Sequence, residues 1–146
     1  MSNSMWESLA QGFKEFRNIP SRADAIAREK FPDSARDASK QNAFRHSLGT
    51  GMMTNKFGGG ALGAAAAKLA GYGWEALGTM DNIRSPEQWA DTKHDLNANA
   101  IGANAAIYTE GQQQLEQMLE SLTNRSRIRE PFGATELGNG QMTRSR

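Results

Sequence analysis

Three features of the sequence predict an all-α fold. Alanine and glycine are abundant while β-branched residues are few, a composition that suits closely packed helices better than a sheet. Apolar residues recur at spacings of three and four, as in Trp6, Leu9, Phe13 and Phe16, and again in Leu115, Met118, Leu119 and Leu122. Helix start and stop signals fall between these runs: Ser85-Pro86-Glu87-Gln88 joins a serine cap to a proline at the first helical position, and Gly58-Gly59-Gly60 is too costly in conformational entropy to lie inside a helix. The prediction is a single compact bundle of five or six helices around a central Ala/Gly-rich helix. It occupies residues 1–130, with a flexible tail over 131–146 that is rich in Gly, Thr, Asn and Ser.

The elements follow in order. Ser4 caps a first helix that runs to about Arg17, and Asn18-Ile19-Pro20 ends it, because the residue before a proline is pushed out of the helical region. Ser21, with Asp24 three positions on, starts a short second helix that stops before Phe31-Pro32. A third helix spans Asp37 to Asn55 and a fourth, nearly all Ala and Gly, Ala61 to Leu77. Small residues allow close approach of neighbouring backbones, so the fourth is expected to be the most buried. From Pro86 the pattern continues to about Glu110, Gly111 interrupts it, and a last amphipathic helix covers Gln112 to Asn124.

Composition excludes several classes of function. A chain of 146 residues with 38% hydrophobic and 23% charged content holds one modest core. The net charge of +1 gives no basis for a nucleic-acid partner, which demands a clustered basic face. Without cysteine there is no disulfide, zinc-thiolate site or thiol nucleophile, and no constraint on redox compartment. The first residues lack the positive start and apolar run of a secretory signal, so export would need a dedicated secretion route, carriage in a virion or release by lysis. Membrane contact through residues 58–78 is a competing reading that Lys68 and Glu75 argue against, and oligomerisation stays open.

Chemistry concentrates in two stretches. In the first, Asn42, Arg45, His46 and Gly49 share one helical face; in the second, Asp91, Asp95 and Asn99 recur every four residues. Glu75 lies on the helix between. The sequence has two histidines, His46 and His94, and both fall in these stretches. His94 is set about a third of a turn off the Asp91-Asp95-Asn99 face, which makes His46 the stronger site residue. Three accounts compete. In a structural one, Arg45 pairs with Asp91 or Asp95, and the asparagines satisfy groups between helices. In a catalytic one, His46 is a general acid or base oriented by Asp95 or Glu75, while Asn42, Arg45 and Asn99 hold an anionic substrate. In a metal account, His46 with Glu75 and Asp95, or His94 with Asp91, would take a divalent ion, although no ligand spacing here is diagnostic. No metal or other cofactor is assigned.

The succession Asn42-x-x-Arg45-His46, a small-residue helix carrying Glu75, then Asp95-Leu96-x-x-Asn99-x-x-Gly102 resembles a family of uncharacterised helical domains. These occur in bacterial polymorphic toxins, secreted effectors and phage proteins. The family pattern has a His-Glu pair where this chain has Trp74-Glu75, and a histidine and an asparagine where it has Asn97 and Ala98. The resemblance covers roughly residues 40 to 105 and implies a small domain engaged in conflict between cells or with a host. The absence of the histidine before Glu75 removes one acid–base group or ligand. Two functional expectations follow: an effector-like hydrolase using the His/Arg/carboxylate cluster, or a non-catalytic protein acting through partners or membranes, with Trp6, Phe13, Phe16 and the Leu115–Leu122 stripe as contact surfaces.

Overall fold

The computed structural model describes the backbone of residues 3–79 and 86–125, and the side chains of 14–33, 39–73 and 92–125. Five helices make up the described chain: α1 (Asn3–Lys30), α2 (Ser34–Lys56), α3 (Gly60–Thr79), α4 (Pro86–Ile107) and α5 (Gly111–Asn124). No strand occurs among the described residues. The tail expected over 131–146 lies outside them.

The expected break at Asn18-Ile19-Pro20 does not occur; α1 runs through it with Pro20 inside. Pro20 forfeits one backbone hydrogen bond and crowds the preceding turn, a cost of about 3 kcal/mol. Continuity preserves a single buried stripe of Ile19, Ala23 and Ala27 at four-residue spacing, which a break would split, while Pro20 itself stays exposed. Ser21 and Asp24 are therefore mid-helix residues, and Asp24 pairs one turn on with Arg28 at 2.9 Å. At the far end Lys30 donates to Glu120 of α5 at 2.7 Å, a bond that raises the ammonium above its ordinary 10.5. The pair therefore contributes fully below that value and is lost only as pH rises past the raised one. Partly exposed, it stabilises by about 1 kcal/mol at most.

The centre of the bundle is α2, one helix earlier than expected. It packs on all four other helices, most extensively on α4. Phe44 and Leu48 of α2 meet Leu115 and Leu119 of α5 in the fully buried core, and Phe31 adds an edge-on ring contact to Phe44 at 5.4 Å between centroids. The Ala/Gly helix α3 buries Gly63, Ala64, Ala67 and Gly71, whereas Leu62, 87% exposed, and Leu69, 71% exposed, face out. Small residues do mark close approach, as expected, but they line one side of a peripheral helix. Three glycines end α2 and start the return. Gly58 donates to Asn55 O at 3.2 Å and Gly59 to Thr54 O at 2.9 Å, the paired bonds of a Schellman cap, with φ of +94° and +70° that favour glycine.

Two backbone contacts fix how the helices lie. A Cβ on Gly102 of α4 would fall 1.8 Å from the Ser47 carbonyl oxygen of α2, and one on Gly63 of α3 would fall 2.6 Å from Thr54 O. Only hydrogen fits at either point. Gly102→Ala is expected to destabilise the fold by about 3 kcal/mol or more, because helix backbone on both sides must move. Gly73→Ala, where a Cβ meets nothing within 4 Å, should instead be neutral or stabilising by up to about 1 kcal/mol. Urea melts of the two variants against the parent give the comparison; equal costs would show that the α2–α4 crossing is not close.

Candidate functional site

Residue numbers rise together across the α2–α4 contact, from Asn42 and His46 against Asp95 to Thr50 against Asn99, so the two helices run in the same direction. Their backbones come close where Gly102 of α4 meets the Ser47 carbonyl of α2. At four-residue spacing on both helices, His46 comes opposite Asp95 and Thr50 opposite Asn99. The faces singled out in the sequence therefore meet.

On the first rung, His46 Nε2 lies 3.5 Å from Asp95 Oδ1 and 3.4 Å from an Arg45 guanidinium nitrogen. Asn42 Nδ2 donates to the same Asp95 oxygen at 3.3 Å, and Arg45 donates to Asn42 Oδ1. Asp95 Oδ1 thus accepts from the Asn42 amide with the His46 ring beside it, and Arg45 braces the amide from the other side. A carboxylate against one ring nitrogen fixes the orientation of an imidazole and stabilises its protonated form. His46 and Asp95 side chains are each 20% exposed, so the rung is sheltered but reachable.

The second rung is deeper. Thr50 Oγ1 sits 2.9 Å from Asn99 Oδ1 and 3.1 Å from the His46 carbonyl oxygen, and its single proton serves these two acceptors. On the other side of Asn99, a Cβ at Gly71 of α3 would come within 3.2 Å of its Nδ2. Asn99 therefore sits where α2, α3 and α4 meet.

A cleft of about 830 Å³ opens over these rungs, walled by α1 and α3 as well. Arg45, His46, Thr50 and Asn99 line it; Asp95 does not, and contacts His46 from outside the lining. α1 contributes Arg17, Asp24 and Arg28 to the wall. Arg45 reaches Asp24 at 3.6 Å, so among the described residues it has a carboxylate partner on α1.

Of the residues expected at the site, the structure brings Asn42, Arg45, His46, Asp95 and Asn99 together. The side chains of Glu75 and Asp91 lie outside the described residues, although the backbone of both is helical. His94 is half-buried on α4. Among the described residues, no three His, Cys, Asp or Glu side chains converge as metal ligands would. Asn97 Nδ2 is buried without a hydrogen-bond partner among them. Sequence reasoning missed Thr50 and Asp24. Thr50 could have been found, since it lies one helical turn beyond His46 on the same face. Asp24 was hidden by the expected helix break at Pro20, which assigned it to a cap.

Fold and site together define a small helical-bundle domain with a partly buried polar network opening into an arginine-lined cleft. The model of the family described as Domain of unknown function (DUF6973) matches residues 8–129, and the chain belongs to that family. No curated protein and no solved structure matches the chain.

Thr50→Val keeps the shape and removes the hydroxyl, leaving the 7% exposed Asn99 without that donor. A loss of about 1–3 kcal/mol is expected in thermal or urea unfolding. An unchanged melting curve would mean that the second rung contributes nothing to stability.

Proposed function

We propose that the chain is a small effector- or toxin-like domain, of bacterial or phage type, in which His46 serves as the acid–base group of a hydrolytic reaction. The observation that carries this reading is the position of His46 on the cleft wall, with Asp95 Oδ1 3.5 Å from Nε2. Histidine is the side chain best suited to moving protons near neutral pH, and a carboxylate partner that holds the ring is the usual companion of such a group. In this scheme Asp95 orients His46, Asn42 and Arg45 keep Asp95 and the ring in place, and Asn99, backed by Thr50, offers an amide to the bound molecule. Glu75, on the helix that returns between α2 and α4, is assigned a second acid–base role on the strength of its place in the sequence pattern.

A non-catalytic reading draws on a separate observation. Leu62, Leu69 and Tyr72 form an exposed face on α3, with Ala65 between them, and a partner protein could cover it. In that case the polar rungs are purely structural.

The two readings part on one experiment. The chain is expressed from an inducible promoter in bacteria, with and without an added export leader, and growth is followed beside His46→Ala and Asp95→Asn variants. The expected outcome is growth arrest or lysis by the parent in one compartment. His46→Ala should abolish it with helical circular dichroism retained and melting within a few degrees of the parent. Toxicity that persists in a folded His46→Ala variant would remove the catalytic reading and favour the partner-binding one.

A further inference from the structure

We propose that the cleft beside His46 binds an amphiphilic anion, a molecule with a phosphate or carboxylate head on an apolar body. This deepens the functional reading above, from which it takes only the premise that the cleft is a working site.

The head group is indicated by charge. The cleft lining carries three guanidinium groups, Arg17, Arg28 and Arg45, against one carboxylate, Asp24. Asp24 is already held by Arg28 at 2.9 Å and Arg45 at 3.6 Å. Arg17 makes no hydrogen bond or ion pair with any described residue and is exposed. A lone surface arginine needs no explanation, but one that shares the wall of a half-open cleft with two others gathers like charge in one place. That grouping has a use when an anion enters, because guanidinium groups grip phosphate and carboxylate oxygens through paired hydrogen bonds.

The body is indicated by the way α1 faces the cleft. Phe16, Pro20 and Ala23 form an apolar stripe at helical spacing, and Arg17, Ser21, Asp24 and Arg28 form a polar stripe beside it. Met53 of α2 and Ala70 of α3 extend the apolar side. A helix that shows a cleft two adjacent stripes of opposite character suits a ligand with two ends. A methionine in the lining adapts to an apolar chain without demanding one shape. The volume of about 830 Å³ lies in the range of sites that enclose small organic molecules.

The test is calorimetric titration of the full chain at low salt with decyl phosphate, decanoate, decanol and inorganic phosphate, each below its aggregation concentration. Binding of decyl phosphate or decanoate, at least about tenfold tighter than either decanol or inorganic phosphate, is expected. The tighter of the two anions identifies the head group. Arg17→Gln should weaken that anion about tenfold, with Arg17→Lys recovering part of the loss and melting unchanged in both. Decanol binding as tightly as the anions, inorganic phosphate binding as tightly as decyl phosphate, no binding of either anion, or an unaltered affinity in Arg17→Gln would each overturn the proposal. His46→Ala keeps the two readings apart: anion binding retained by this variant while its biological effect also persists would discard the acid–base role and leave the ligand class standing.

Discussion

The structure depends on one contact between two stretches of backbone, the approach of Gly102 in α4 to the carbonyl of Ser47 in α2. Helices with ordinary side chains at their crossing keep axes 8–10 Å apart. A glycine seated against a carbonyl brings them closer, and short polar side chains then reach across. Asn42, Thr50, Asp95 and Asn99 are all short, and each finds its partner on the facing helix at hydrogen-bond or near hydrogen-bond distance. With the helices further apart, the same residues would need water or longer side chains to connect. The polar rungs are thus a consequence of the crossing as much as a cause of it.

That arrangement explains how a domain with a modest apolar fraction holds together. Its apolar core is concentrated where α1, α2 and α5 meet, around Phe44, Leu48, Leu115 and Leu119. On the α3–α4 side, alanines, glycines and threonines take the place of large hydrophobes, and close backbone packing with buried hydroxyl groups supplies the cohesion. Thr54 and Ser47 return their hydroxyls to carbonyls of their own helix, so even these buried polar groups are satisfied locally.

Much of this was legible in the sequence because it is periodic. The helical class and the Asn42–His46 and Asp95–Asn99 faces follow from spacings of three and four, the stop after Phe57 from its glycines, and the start at Pro86 from a serine followed by proline. What failed lay in the order of packing around that pair of faces. The Pro20 break was a local rule overridden by a stripe of buried residues that crosses it, and with that error Asp24 was lost as the partner of Arg45. The central place of α2 could not be read from composition, since α3 is the more apolar of the two. Leu62 and Leu69 are exposed all the same, because the contacts with α2 and α4 are made by Ala and Gly. Thr50 was overlooked although it lies one turn beyond His46, because that face was followed only through Asn42, Arg45, His46 and Gly49.

The repeating ladder also has a cost. Asp91, Asp95 and Asn99 on one helix and Asn42, His46 and Thr50 on the other are each spaced by a turn, so sliding α4 past α2 by one turn would offer the polar side chains a new set of plausible partners. Pairing chemistry alone leaves several alignments nearly equivalent. The notch at Gly102 breaks that degeneracy, because a slip of one turn would drive the Cβ of Ala98 or Ala106 into the carbonyl that Gly102 accommodates. One missing methyl group thereby selects a single alignment from a family of look-alikes, and the identity of the residue opposite His46 is decided two turns away from it.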